Sequence, residues 1–224
     1  MNKSTAYRFL TTLESLGYVV QDLENNRYAL GSKVVWLASR FLEAIDMRTL
    51  ARPVLLQLRE ETGETIHLAI LDQFEVVYID KLDGKSSMRM ASRVGNRMPV
   101  HSTGLGKALF AYMPEDAWQN YIEKVGLARR TTNTITDPSA FFQEMRLIRD
   151  RNYSIDNSEN EDGIRCVALP IRDHTGKVVA AISIAGWILT MTPERDLEMA
   201  KIGRKYANML SAKLGYLQRE ATNV

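Results

Sequence analysis

The chain has 224 residues, 45% of them hydrophobic, and a formal net charge of +2. This composition is that of an ordinary globular protein. Because the net charge is small, any binding to nucleic acid must come from a local patch of positive charge. Its single cysteine, Cys166, excludes an internal disulfide and predicts a reducing, cytoplasmic location. The longest apolar stretch, residues 178–189, is too short to cross a bilayer, and we expect neither a signal peptide nor a membrane partner.

The first residues of the chain predict an amphipathic helix. Apolar side chains recur at the three- and four-residue spacing of one helix face, at Ala6, Phe9, Leu10, Leu13 and Leu16. The opposite face carries cations and hydroxyl groups ahead of the first acidic residue, namely Lys3, Ser4, Thr5, Tyr7 and Arg8. Because such a face suits the phosphates that line a DNA groove, we predict these five as DNA-binding residues.

A hairpin is predicted directly after this helix. Gly17 lies where a helix ends, and residues 18–20 and 27–30 have the composition of two short strands around a turn at 23–26. A helix followed at once by a hairpin is typical of the closing half of a winged helix-turn-helix. The alternative is an ordinary amphipathic helix and hairpin without a role in DNA binding.

The rest of the chain has an α+β pattern. Ser32 and Asp46 can cap two linker helices, which end near residues 44 and 63. Strands are predicted at 65–71, 75–80, 87–92, 165–171 and 178–185, and helices at 104–112, 114–125, 138–152 and 193–217. This order predicts a mainly antiparallel sheet with helices between its strand groups. The linker stripe Val35, Phe41, Leu42 and Ile45 is more apolar than a lone helix needs and predicts self-association.

The chain resembles the isocitrate-lyase-regulator (IclR) family of bacterial transcription factors along essentially its whole length. The matching motifs are residues 2–19, 61–65, 95–108, 129–136, 156–166 and 180–184. The resemblance implies a partial winged helix-turn-helix at 1–30, a helical linker at 31–63 and a GAF-like effector-binding domain at 64–224. Within the family, the sequence is similar to regulators of sugar-acid (2-keto-3-deoxygluconate-type) catabolism. Members normally have two further helices before the recognition helix, so we expect an N-terminally truncated DNA-binding domain that binds DNA poorly.

A glycine-containing loop at 102–107 precedes an apolar helix and is the first candidate for the effector site. Free N–H groups at a helix start can hold a carboxylate, although the same glycines also serve a tight turn. The resemblance places an effector carboxylate at Gly104 and Leu105. It assigns Asp156, Cys166 and Ser183 to the same pocket, with Ala185 where the family often has a second serine. The other residues of 157–162 are expected to form a solvated acidic loop.

The histidines and Cys166 raise catalysis and metal binding as alternatives to a regulatory function. Cys166 could pair with His67 or His101, but its strand is apolar and such a thiol is usually inert. The three histidines lack metal-ligand spacing, so we expect no metal, no cofactor and no enzyme activity.

The sequence predicts a ligand-responsive DNA-binding transcriptional regulator, a repressor of a carbon-catabolic operon that senses a small carboxylate or sugar acid as a homodimer or homotetramer. The alternative is a stand-alone effector-binding or dimerisation module that does not bind DNA.

Overall fold

The computed structural model describes residues 2–22, 24–44, 46–86 and 90–217, without the side chains of residues 42–44. The chain divides into two compact units, Met1–Met47 and Arg48–Val224. Parts of three predictions lie outside the described residues: Leu23 in the hairpin turn, Ile45 and the side chain of Leu42 in the linker stripe, and residues 87–89 of a predicted strand.

The first unit is a helix, a hairpin and a second helix. It comprises α1 (Lys3–Ser15), β1 (Val19–Gln21), β2 (Tyr28–Leu30) and α2 (Lys33–Ala44). Asn2 caps α1, since its side chain accepts a hydrogen bond from the Thr5 N–H at 2.9 Å. Gly17 follows the helix with a φ of 78°, a left-handed conformation that glycine adopts without steric cost. The predicted helix and hairpin are therefore confirmed.

The sheet of the second unit is antiparallel throughout and has the order β5-β4-β3-β8-β7-β6. Its strands are β3 (Thr65–Asp72), β4 (Glu75–Leu82), β5 (Arg97–Pro99), β6 (Ser154–Asn157), β7 (Ile164–Arg172) and β8 (Val178–Trp187). The helices are α3 (Met47–Thr62), α4 (Gly104–Phe110), α5 (Glu115–Lys124), α6 (Pro138–Arg151) and α7 (Asp196–Lys213). The predicted α+β class with a mainly antiparallel sheet is confirmed.

Two helices cover opposite faces of the central strands. A Cβ atom on Gly104 of α4 would contact Cys166 and Ala168 of β7, whereas a Cβ atom on Gly203 of α7 would meet Leu169 of the same strand. Because neighbouring side chains of a strand point to opposite faces, α4 and α7 lie on the two sides of the sheet. The cavity described below lies on the α4 side.

Two predicted elements differ from the structure, and two of its strands have no predicted counterpart. Residues 90–92 are not a strand, and the edge strands β5 and β6 were not predicted. The closing helix begins only at Asp196, after a single 3-10 turn at Pro193–Arg195, and it ends at Lys213 and not at residue 217. Among the described residues, no helix combines the length and the apolar character that a membrane span requires.

Candidate functional site

A cavity of about 150 Å³ lies between the start of α4 and the strands β3, β7 and β8. All five predicted effector residues line it, namely Gly104, Leu105, Asp156, Cys166 and Ser183. They come from four different elements of the second unit, and the fold brings them to one place. The wall also contains residues that the sequence did not assign to the pocket, and His67, Tyr78 and Ser92 are important among these.

The first turn of α4 leaves two backbone donors free. The hydroxyl of Thr103 accepts the Gly106 N–H at 3.1 Å and donates to the Pro99 carbonyl at 2.6 Å, while the Lys107 N–H donates to the Thr103 carbonyl. In the part of the chain that the structure describes, no hydrogen bond engages the N–H of Gly104 or Leu105. The N–H groups available to a ligand are therefore those of Gly104 and Leu105, and not that of Gly106.

The two glycines of this first turn, Gly104 and Gly106, have different roles. A Cβ atom on Gly104 would lie 3.5 Å from the Cβ of Asp156 and 3.6 Å from those of Cys166 and Ala168, which is ordinary contact. A Cβ atom on Gly106 would lie 2.4 Å from the Val100 carbonyl oxygen. Gly106 is thus required by packing, whereas Gly104 keeps one side of the cavity open.

Asp156 is a buried carboxyl group in the wall of this cavity, next to Gly104. Its Oδ1 accepts the Glu159 N–H at 2.7 Å, and its Oδ2 lies 4.0 Å from Cys166 Sγ, since the two residues are paired in the register of β6 and β7. Burial raises the pKa of Asp156 to about 7, against the lowering effect of the Lys107 ammonium. Burial also raises the pKa of the Cys166 thiol, which argues against a thiolate nucleophile.

The prediction of a solvated acidic loop is wrong for Ser158 and Glu159. Both are buried, and Glu159 Oε1 lies 2.5 Å from the ammonium of the buried Lys107. The hydroxyl of Thr134 donates to the Glu159 carbonyl at 2.7 Å, and that of Thr131 donates to the Ser158 carbonyl at the same distance. These contacts hold the buried segment behind Asp156, and Glu159 Oε2 is left without a hydrogen-bond partner among the described residues.

Ser183 lies on β8, paired in register with His67 on β3. Its hydroxyl is 3.3 Å from His67 Nδ1, and His67 Nε2 is 2.8 Å from the hydroxyl of Ser92. The sequence singled out His67 only as a partner for Cys166 or a metal. Its place in the pocket follows from strand pairing across 116 residues, which no local pattern reports.

His101 belongs to a different environment. Its Nδ1 lies 2.8 Å from the Tyr121 hydroxyl and its Nε2 lies 2.9 Å from the Ala128 carbonyl, and it does not line the cavity. Across the described ranges, no group of three histidine, cysteine or acidic side chains could hold a metal ion.

The predicted DNA-binding residues share the outer surface of the first unit. The side chains of Lys3, Ser4, Thr5, Tyr7 and Arg8 are all exposed on α1. No residue of α1 is buried, and Phe9 and Leu13, from the predicted apolar face, remain 61% and 39% exposed. The structure thus brings the five residues together on one exposed helix, while their contact with DNA stays a prediction.

Comparison with known proteins identifies the family. Residues 1–23 match the IclR helix-turn-helix domain, and residues 39–212 match the C-terminal domain of IclR bacterial transcriptional regulators. The chain is 39% identical to the HTH-type transcriptional regulator KdgR of Escherichia coli K12 over 96% of its own length and 82% of that protein. It is 34% identical to the transcriptional repressor IclR of the same organism, with 95% and 78% covered.

Solved structures give the same result. The IclR protein of Thermotoga maritima is 40% identical with a TM-score of 0.73, and the match covers 96% of this chain and 87% of that one. The C-terminal domain of Escherichia coli KdgR is 35% identical with a TM-score of 0.69, covering 77% of this chain and 100% of that domain. The chain therefore belongs to the IclR family of DNA-binding transcriptional regulators, and it is not an enzyme.

Proposed function

We propose that this regulator represses a carbon-catabolic operon and responds to a small carboxylate, with sugar acids as the first candidates. The observation that carries the proposal is the polarity of the cavity. The free N–H groups of Gly104 and Leu105 offer donors to a carboxylate. In the wall of the same cavity, the carboxyl group of Asp156 and the hydroxyl group of Ser183 offer hydrogen-bonding partners to the other polar groups of the ligand.

The size of the cavity limits the ligand. A volume of about 150 Å³ has room for several water molecules. This space suits a short-chain acid, so a small metabolite fits better than a nucleotide-sized effector. Cys166 contributes a neutral thiol to the wall, and its place in the effector site is part of this proposal.

We assign residues 1–30 to DNA binding, 31–63 to a helical linker and 64–224 to effector binding, in a cytoplasmic homodimer or homotetramer. The exposed apolar side chains of α2 support self-association, because Val35 is 72% and Phe41 is 51% exposed. For the ligand to act allosterically, it must favour one arrangement of the assembled subunits over another. Light scattering at micromolar concentration tests the assembly, and a monomer alone would contradict it.

A ligand screen tests the effector site. Thermal unfolding in the presence of gluconate, 2-keto-3-deoxygluconate, pyruvate and glyoxylate should identify acids that stabilise the chain, by about 2.7 kcal/mol at a hundred times Kd. Asp156→Ala should weaken the hydroxylated acids more than pyruvate, because we assign its carboxyl group to ligand hydroxyls. Asp162→Ala, which changes an exposed acid of the same loop, is the matched control. Unchanged binding in Asp156→Ala would place the effector elsewhere.

A gel shift tests the regulatory part of the proposal. The duplex is taken from upstream of the protein's own gene, and a scrambled duplex of the same composition is the control. An acid identified in the screen should change the fraction of shifted specific duplex. If the chain binds the acid but shifts the specific duplex no more than the scrambled one, a stand-alone effector module that does not bind DNA would replace the ligand-responsive regulator.

A further inference from the structure

A chain of hydrogen bonds crosses the sheet side of the cavity through His67. The imidazole is 4% exposed, and its ring lies against that of Tyr78 with centroids 4.9 Å apart. The Ser92 hydroxyl lies 2.8 Å from one ring nitrogen, and the Ser183 hydroxyl lies 3.3 Å from the other. All four side chains line the cavity, so the order of these bonds determines what a ligand meets there.

The imidazole of His67 is neutral. Burial lowers the pKa of His67 to about 3, and the Lys81 ammonium lowers it further against the smaller effect of Asp83. A neutral imidazole has one donor nitrogen and one acceptor nitrogen. The two hydroxyl groups beside it must therefore play opposite roles, and the chain of bonds has a direction.

Lys81 sets that direction. Its ammonium donates to the carbonyls of Met90 and Ser92, each at 2.8 Å, and pairs with Asp83 at 2.9 Å, so the positive charge lies at the Ser92 end. Polar hydrogens are more stable when they point away from a cation. The Ser92 hydroxyl then donates to Nε2, the Nδ1–H donates to Ser183, and the Ser183 proton is directed to the cavity.

We propose that His67 is a positioning residue for effector selection, which acts through Ser183 and makes that hydroxyl a donor to a carbonyl oxygen of the ligand. This inference rests on the proposed effector site and refines its ligand class. A keto acid supplies the required acceptor. The matching hydroxy acid brings a proton of its own, which needs a further acceptor such as the carboxyl group of Asp156. The cavity should therefore prefer a keto acid over a hydroxy acid of the same carbon skeleton.

The test compares matched acids by calorimetric titration. Pyruvate is compared with lactate, and 2-ketogluconate with gluconate, on the unaltered chain and on its variants. We expect the keto member to bind about fivefold more tightly, the value of one neutral hydrogen bond. His67→Phe keeps a ring but no hydrogen bonds and should bring the ratio of keto-acid to hydroxy-acid affinity close to one. His67→Gln keeps one donor and one acceptor and should restore part of it.

Lys81→Met tests the direction of the hydrogen-bond chain without changing the imidazole of His67. It should also narrow the keto-to-hydroxy ratio, whereas Lys85→Met, which removes an exposed lysine nearby, should leave it unchanged. If His67→Phe fails to fold, as judged by circular dichroism, Ser92→Ala takes its place with the same expected loss of ratio.

The outcomes separate the two proposals. If none of the four acids binds the unaltered chain, the proposed effector class is wrong, and the role of His67 with it. If acids bind but the ratio is one, favours the hydroxy member or survives both His67→Phe and Lys81→Met, only the role of His67 is overturned. A ratio that falls in both variants and recovers in His67→Gln supports it.

Discussion

Lys107 and Glu159 form a buried ion pair behind the candidate effector site, with their charged atoms 2.5 Å apart although the residues are 52 positions apart in the chain. Lys107 is on α4, in the same first turn as Gly104 and Leu105, and Glu159 follows β6 and donates its N–H to Asp156. A second carboxylate, Glu144, lies 3.8 Å from the same ammonium. The pair therefore joins the two sides of the proposed site.

Replacing the ammonium should destabilise the fold strongly. Lys107→Met leaves Glu159 buried without its cation, and we expect a loss of about 3–5 kcal/mol in the free energy of unfolding. Urea denaturation measures this loss. The control is Lys124→Met on α5, an exposed position where a change within about 0.5 kcal/mol is expected. A loss below about 1 kcal/mol for Lys107→Met would mean that the pair contributes little.

The sequence predicted the elements that have a repeating apolar pattern of sufficient length. The helices and long strands carry such a pattern, whereas β5 and β6 span only three and four residues at the sheet edges. Family resemblance supplied Gly104 and Asp156 in the site. It did not supply His67, whose neighbours depend on strand pairing, or the burial of Glu159, which depends on Lys107 in a distant helix.

Substitutions at the two glycines in the first turn of α4 should separate ligand binding from folding. Gly104→Ala adds a Cβ atom at ordinary contact distance from Asp156, so the fold should keep its melting temperature while the smaller cavity binds acids more weakly. Gly106→Ala places a Cβ atom 2.4 Å from the Val100 carbonyl and should lower the melting temperature, with a loss of about 1–3 kcal/mol from overpacking. Thermal unfolding with and without ligand measures both. The assignment is wrong if Gly104→Ala binds like the parent or Gly106→Ala is as stable.

The stability of the chain should depend on pH through Asp156. Burial raises its pKa from 3.8 to about 7 in the folded state, so the folded chain keeps a proton that the unfolded chain has lost. The contribution of Asp156 to stability is therefore most favourable below pH 4, and it decreases as the pH rises toward 7. Asp156→Asn removes this dependence. Its stability relative to the parent should rise with pH in this window by at most about 1.4 kcal/mol per pH unit.

Urea denaturation at pH 5, 6, 7 and 8 measures this difference between parent and variant. Glu159 and Lys107 are present in both proteins, so their own titrations largely cancel in the comparison. A difference that stays constant from pH 5 to 7 would show that Asp156 is already ionised in the folded state. Asp162→Asn at the exposed end of the same loop should show no such trend.

DNA binding by the exposed face of α1 should be carried by phosphate contacts from Lys3 and Arg8. Each phosphate contact contributes about 0.9 to the slope of log K against log salt concentration, so Lys3→Gln and Arg8→Gln should each reduce that slope by about 0.9. Ser4→Ala and Thr5→Ala on the same face remove no charge and should leave the slope unchanged.

Fluorescence anisotropy between 50 and 200 mM salt, on a specific and a scrambled duplex, measures the affinity and its salt slope. Lys124→Gln, on α5 of the second unit, controls for net charge. If the slope is equally steep in the parent and in both α1 variants, the phosphates are held by other residues, and the prediction for Lys3 and Arg8 is wrong.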